Sequence, residues 1–370
     1  MKLTSDGPAI PWRKANVRHT SNELYIDVVE TLSVILAPSG RPLTAFANGS
    51  IVCNSKISGV PEILLNLSAS GGKLGFEKAI ELPVFHPCVR LARWKDRPGE
   101  LSFIPPDGKS VLAGYEVNLI PSHTDSKSWT TSNLQLPASI EIRKALGSYG
   151  TDFEAILTFS NTLPGVNASN VSSRPGLGSR SSGRSTPVFG GAGNSSSPTL
   201  QGLSVSIPLP PGVQNITEIQ ASRGEAFYNP VASNIEWQIA TKDINGAGVA
   251  TLRCTVVGSL NGSNDDALEN GIILRNSVSE YDENEIDGGN AREMRNGQKQ
   301  RNVMKLQQNA ALMPSSASVS FSVKGWLASG IKVESLSIDA RKSRGLGDGV
   351  KPYKGVKYLT VSRKGLETRC

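Results

Sequence analysis

The amino-acid sequence predicts an all-β protein of sandwich type. Three observations carry that prediction. Apolar and polar residues alternate with period two along several runs, turn-forming clusters separate those runs, and no stretch carries a helical apolar stripe. Composition agrees. With 37 Gly and 22 Pro among 370 residues, the chain suits many short strands and turns, and 38% hydrophobic residues supply a packed core.

From the N-terminus, Leu24, Ile26 and Val28 alternate with Tyr25, Asp27 and Val29. Pro38-Ser39-Gly40, Ser58-Gly59-Val60-Pro61 and Pro106-Asp107-Gly108 mark turns. Leu252, Cys254 and Val256 alternate with Arg253 and Thr255, and Val319, Phe321 and Val323 with Ser320 and Ser322. Each such strand turns one side to a core and the other to solvent or a ligand. Two segments break the pattern. Residues 166–200 are rich in Ser, Gly, Asn and Pro and cannot bury enough apolar surface to offset chain entropy, so disorder is expected there. Residues 261–316 carry an acidic block (Asp265 to Asp287) and then a basic, Gln-rich block (Arg292 to Lys305). They read as a long inserted loop, with a short helix around Gln298–Leu312. Both segments suit either a solvated spacer or a phospho-regulated, partner-binding stretch.

The net charge of +7 fits solubility and also attraction to an anionic surface. Cys53, Cys88, Cys254 and Cys370 are far apart with no C-x-x-C pair, which argues against a zinc site and for reduced, mostly buried thiols of a cytosolic protein. No run approaches the roughly 18 apolar residues of a membrane span, and the first residues lack a signal peptide's apolar run. Enzyme signatures are missing. Gly108-Lys109-Ser110 has Phe103 where a phosphate-binding loop needs Gly, and no Gly-x-Ser-x-Gly elbow occurs. The three histidines, His19, His86 and His123, lack metal-site spacing, and His86 reads as a hydrogen-bonded structural residue. Catalysis, metal and cofactor are not expected. Nucleic-acid binding is not expected either, since no aromatic platforms interleave with the basic residues.

Several blocks then occur in one order: Pro11-Trp12-Arg13, Asn22-Glu23-Leu24-Tyr25-Ile26-Asp27-Val28-Val29-Glu30, Phe85-His86-Pro87-Cys88-Val89-Arg90-Leu91, Leu101-Ser102-Phe103-Ile104-Pro105-Pro106-Asp107-Gly108, and Lys354-Gly355-Val356-Lys357-Tyr358 running to Cys370. Together they resemble the mu homology domain, the cargo-binding part of the medium subunits of clathrin-type adaptor complexes. Lys351-Pro352-Tyr353-Lys354-Gly355-Val356-Lys357-Tyr358, Phe85-His86-Pro87-Cys88 and Arg93-Trp94 are most similar to the adaptor protein complex 3 branch, and the low-complexity inserts to fungal versions. The resemblance implies an elongated pair of β-sandwich subdomains, the second inserted into the first. Residues 1–11 would be a tail, 12–118 plus 329–370 the first subdomain, and 119–328 the second, with Asn234–Ile239 a core strand of it. The family's N-terminal longin-like domain is not expected within these residues, since the matching part starts at Pro11, as in a cargo-binding fragment or an incomplete chain.

Members recognise Tyr-x-x-Φ segments in cytosolic tails of membrane proteins, Φ being a bulky apolar residue. Tyr and Φ, three apart, point to opposite sides of an extended peptide, so two pockets must flank an exposed strand edge. The resemblance places the tyrosine pocket at Tyr25, Asp27, Gly355 and Lys357, and the apolar pocket at Leu24, Ile26, Val333, Leu336 and Val356. Alternation assigns the two terminal strands to the same faces. Asp27 would accept a hydrogen bond from the ligand phenol, Tyr25 would pack on its ring, Lys357 would supply a cation over it, and Asp27 and Lys357 would hold each other in place. Without the resemblance, Asp27 reads rather as a solvated edge charge that blocks aggregation. Gly355 and Lys357 stand where other branches have Trp and Arg, and Asn54, a residue at the pocket rim, where they have Lys. These departures motivate an alternative, an interaction scaffold that no longer binds tyrosine signals. The resemblance further implies partnership with two large and one small adaptor subunits, and a cytoplasmic location, peripheral on Golgi and endosome membranes and vesicles bound for lysosomes or vacuoles. Lys332, Arg341, Lys342 and Arg344 fit an anionic phospholipid surface or ordinary solvated charge. Asn-x-Ser/Thr matches, as at Asn48 and Asn215, would instead suit a secreted adhesion module.

Overall fold

A computed structural model describes residues 10–14, 16–69, 76, 80–120, 134, 136–160, 163, 198–244, 247–258, 305–339, 341–346 and 352–370. The strands of the N-terminal part are β1 (Glu23–Leu36), β2 (Pro42–Lys56), β3 (Ile63–Ser68), β4 (Ile80–Phe85), β5 (Glu100–Phe103) and β6 (Gly108–Asn118). The middle adds β7 (Ala138–Leu146), β8 (Asp152–Phe159), β9 (Thr199–Pro208), β10 (Val213–Ala221), β11 (Glu225–Asn229), β12 (Asn234–Ile239) and β13 (Gly248–Gly258). The last are β14 (Ser316–Lys324), β15 (Lys332–Ile338) and β16 (Tyr353–Arg369). A six-residue helix, α1 (Leu91–Asp96), precedes β5, and α2 covers 305–310. α1 is too short to show as an apolar stripe in the sequence.

The strands build three sheets. A nine-stranded sheet has the order β11-β12-β9-β14-β16-β1-β2-β6-β4; the others are four-stranded, β10-β13-β8-β7, and three-stranded, β15-β3-β5. The two smaller sheets cover different parts of the long one and enclose two cores. One core joins Leu24, Ile26 and Val28 to Ile63, Leu65, Leu101, Phe103 and Leu336. The other joins Leu32, Val34 and Leu36 to Phe153, Leu157, Val205, Trp237, Leu252 and Val319. Leu119 and Ala328 pack against both. The all-β sandwich reading therefore holds, with the predicted alternation of β1, β13 and β14 reproduced as buried and less buried residues.

Leu32, Val34, Leu36, Ala45 and Leu366, which the expected first subdomain holds, lie in the second core. The cause is strand length: β1 has 14 residues and β16 has 17, and at about 3.3 Å per residue they outrun one sandwich and enter the next. The C-terminal end of the expected 166–200 disorder is ordered, since Thr199 and Leu200 begin β9 and Leu200 is buried. The last part of 261–316 is likewise ordered: after α2, Leu312 and Met313 enter the second core. Apolar burial decides both. Residues 164–197 and 259–304, including most of the acidic and basic blocks, lie outside the described residues.

The signature blocks are fastened to one another. Trp12 Nε1 donates to Ile104 O at 2.8 Å. Arg13, 2% exposed, donates through Nε to Gly59 O at 2.7 Å and through Nη1 to Pro105 O at 2.9 Å, and also through Nη2 to Ile57 O. Trp12 meets His86 edge to face, and His86 Nδ1 accepts from Cys88 N at 3.1 Å, the structural role expected of that histidine. All four cysteines are free thiols, and burial pushes Cys53 up to about 12 and Cys88 up to about 11.

Candidate functional site: the free edge of the C-terminal strand

The two ends of the chain are neighbours. β1 pairs with β16 in parallel, bringing Tyr25 opposite Gly355, Ile26 opposite Val356 and Asp27 opposite Lys357. The other flank of β1 pairs antiparallel with β2, setting Asn54 beside Tyr25 and Val52 beside Asp27. β6 extends both rows, with Lys109 opposite Asn54 and Val111 opposite Val52. All of these except Ile26 and Val356 share the outer face. The tyrosine-pocket residues and the rim residue Asn54 thus come together from distant parts of the chain. Lys109, which sequence reasoning missed, supplies a cation next to Asn54.

β16 also carries an edge. Its last pair with β14 is Leu359 with Lys324, followed by a hydrogen bond from Gly325 N to Tyr358 O. Among the described residues no strand covers the far side of Tyr353–Lys357. A strand flank that no other strand covers can receive an added strand. Lys354 and Lys357 give this edge the charges that discourage random pairing.

On the outer face, Tyr25 leans over Gly355. A Cβ on Gly355 would stand 2.9 Å from Tyr25 Cδ1, so only glycine admits the ring there. The same ring reaches Tyr353, with centroids 5.7 Å apart and tilted by 53°, and its hydroxyl donates to Glu23 Oε2 at 3.3 Å. Desolvation, then the charge and hydrogen bond of Glu23, push the Tyr25 phenol upward. Tyr353 was not among the sequence candidates. Its position two residues before Gly355, on the same face, was the available signal. Asp27 and Lys357 lie side by side but form no ion pair, so the expected mutual clamp is absent. Neither side chain is engaged by the other.

The apolar-pocket residues lie on the inner face, between β16 and β15. Val333 and Leu336 are three apart, a spacing that would face them oppositely on a regular strand. A bulge between Val333 and Ser335 corrects this: Val333 pairs with Leu67 and Leu336 with Leu65, both facing inward. The five residues share the inner face, yet they do not line an open pocket. Leu24 and Ile26 are 0% exposed and Leu336 1%, while Val356 is 36% exposed at the rim. Leu24, Ile26 and Leu336 belong to the core, and Val333 packs against it.

With this geometry in place, similarity to known proteins decides the family. The family model for the medium subunits of adaptor complexes matches residues 10–370. The chain belongs to the adaptor complexes medium subunit family. Members are non-enzymatic trafficking adaptors. The AP-3 complex subunit mu-2 of Rattus norvegicus is 25% identical over 355 residues, 96% of this chain and 60% of the relative. The AP-3 complex subunit mu of Schizosaccharomyces pombe is 38% identical over 109 residues, 30% of this chain. The chain therefore spans about 60% of the length of the curated mu-2 relatives. A chain in a homology model of the full-length AP-3 complex, in an intermediate open conformation, covers 95% of this medium-subunit chain at 20% identity, with a TM-score of 0.52. That likeness concerns the fold, 69% of the other chain being covered.

Proposed function

We propose that this medium-subunit domain binds Tyr-x-x-Φ sorting segments in the cytosolic tails of membrane proteins. The tail adds as an extended strand to the free edge of β16 at Tyr353–Lys357. One observation carries the reading: Tyr25, Asp27, Gly355 and Lys357, from opposite ends of the sequence, share one outer-face patch beside that edge. The ligand phenol donates to Asp27, whose carboxylate has no competing ion pair, and its ring packs on Tyr25 under the Lys357 stem. The Φ side chain turns to the inner face, toward Val356, Val333 and Leu336.

A short peptide buries little surface, so affinity for a single tail is on the order of micromolar, and retention comes from several simultaneous contacts at a membrane. The similarity to AP-3 mu subunits supports assembly with two large and one small subunits in the longer protein, on Golgi and endosome membranes, for transport toward lysosomes or vacuoles. Lys332 and Arg341, both exposed, suit contact with anionic lipid heads. We also propose that the two cores correspond to two subdomains, divided near Leu119 and Ala328.

The test is calorimetric titration of a Tyr-x-x-Leu peptide against wild type and Asp27→Ser. The wild type is expected to bind at least about ten-fold more tightly. Phe for the ligand tyrosine should cost a similar factor, and phosphotyrosine should abolish binding by bringing charge against Asp27. Equal affinities for wild type and Asp27→Ser support a second reading, a medium-subunit-like scaffold without tyrosine-signal binding. The closed packing of Leu24, Ile26 and Leu336 is the observation that favours it.

A further inference from the structure

Two side chains of β16 bridge the inner face to β15. Along β16, Lys354, Val356 and Tyr358 face inward, Lys354 standing opposite the fully buried Leu24. The two residues that flank Val356 both reach across to β15. Lys354 Nζ donates to Leu336 O at 3.0 Å, and Tyr358 Oη accepts from Val333 N at 2.9 Å. β15 pairs only with β3 among the described strands, so its outer edge would otherwise present such groups unpaired. The two bonds lace the separate sheets together over the apolar residues. They differ in character. Tyr358 is the more deeply set, and the hydrogen-bond chain around it continues with Gly325 N donating to Tyr358 O. Lys354 spans the gap with a flexible four-carbon stem and sits nearer the rim of the edge strand, where partial burial lowers its pKa.

We propose that Lys354 is a lock on the apolar pocket, setting both the affinity for a ligand's Φ residue and the size accepted. The inference rests on the reading of this edge as a tyrosine-signal site. An apolar guest entering beside Val356 must pass the Lys354 stem. If the ammonium stays, the guest desolvates it further; if it swings to solvent, the bond to Leu336 O is lost. Either route costs binding energy that a neutral side chain of equal length would not demand. The Tyr358 bond forms the fixed end of the pocket and limits its length, so a Φ residue is accommodated at the Lys354 end. No part of the tyrosine half depends on this lock, because Lys354 and Lys357 face opposite sides of β16.

The experiment titrates the 370-residue protein with two peptides that differ only at Φ, Tyr-x-x-Leu and Tyr-x-x-Phe. The proteins are wild type, Lys354→Met, Lys354→Arg and Asp27→Ser. Lys354→Met is expected to tighten Tyr-x-x-Leu about three- to ten-fold, the equivalent of one hydrogen bond, and to tighten Tyr-x-x-Phe more. Lys354→Arg keeps a donor and a charge and should give no gain. If wild type binds, Asp27→Ser does not, and Lys354→Met binds no more tightly than wild type, the lock is overturned while the tyrosine site stands. If Lys354→Met gains equally for both peptides, the size-setting role is overturned. If wild type and Lys354→Met both fail to bind either peptide, the tyrosine-signal reading falls and the lock falls with it.

Discussion

Gly355 is the residue on which the outer face turns. A strand interior ordinarily loses stability by holding glycine, yet here the missing Cβ gives Tyr25 room to lie across the β16 backbone and meet Tyr353. Gly355→Ala places a methyl 2.9 Å from Tyr25 Cδ1, and the backbone cannot retreat because β1 holds it in register. The ring must lift. Affinity for Tyr-x-x-Leu is expected to fall about three- to ten-fold, the scale of one aromatic contact. The thermal midpoint should move little, since the site is on the surface. Titration paired with a melting curve checks both halves. The identities of Tyr25, Asp27 and Lys357 and the neighbourhood of their two strands came from the family resemblance, while period two gave only which residues share a face within each strand. Two things were not legible: that Asp27 and Lys357 form no ion pair, and that Tyr353 joins the ring cluster. Both depend on rotamers and on strand twist, which alternation does not encode.

The element that most depends on irregularity is β15. Its bulge at Glu334 lets Val333 and Leu336 face the same core against Leu67 and Leu65. Glu334 itself is exposed. Deleting it would restore regular pleating with Val333 and Leu336 two apart and still on one face. Stability is therefore expected to stay within about 1 kcal/mol of wild type, the bulge serving only to accommodate the extra residue. Glu334→Ala keeps the bulge and should stay within about 0.5 kcal/mol of wild type. Urea unfolding of the two variants distinguishes a role for the extra residue from a role for its carboxylate. The spacing of Val333 and Leu336 was visible in the sequence, but the bulge that reconciles it with one face was not. Nothing in Lys332-Val333-Glu334-Ser335-Leu336 separates a bulged strand from a regular one without knowing that β3 lies opposite. Pocket closure escaped for a similar reason. It is set by the gap between two sheets and by how far Lys354 and Tyr358 reach across it, and a single strand's pattern holds no measure of that gap.

At the scale of the whole molecule, the two cores meet at a buried acid. Glu30 is 0% exposed and lies on β1 between Val28, in one core, and Leu32, in the other. Its carboxylate accepts from Tyr115 Oη at 2.9 Å, from Ser329 N at 3.1 Å and from the Ser329 hydroxyl. Opposite Glu30 on β16, Thr360 donates to Trp326 O at 2.9 Å. The turn from β14 to β15 is therefore fastened at the seam, Trp326 in one core and Leu327 in the other. Among the described residues no cation faces Glu30, and its neighbours across the strands are Gly49 and Thr360. Desolvation by burial outweighs these hydrogen bonds and raises its pKa above the ordinary 4.5. For an acid the sign follows directly. The folded protein holds this proton more tightly than the unfolded chain, so Glu30 favours folding most when protonated. That contribution is lost as pH rises from the unfolded value through the raised folded value. Wild type should therefore lose stability across this weakly acid window relative to Glu30→Gln, which cannot titrate. Gln also leaves an amide donor to be satisfied at the seam, so its stability is expected to be lower near the acid end. Thermal midpoints of both proteins from pH 4 to 7.5 provide the measurement. The difference between the curves should narrow as pH rises, and parallel curves would mean that Glu30 does not titrate in this range.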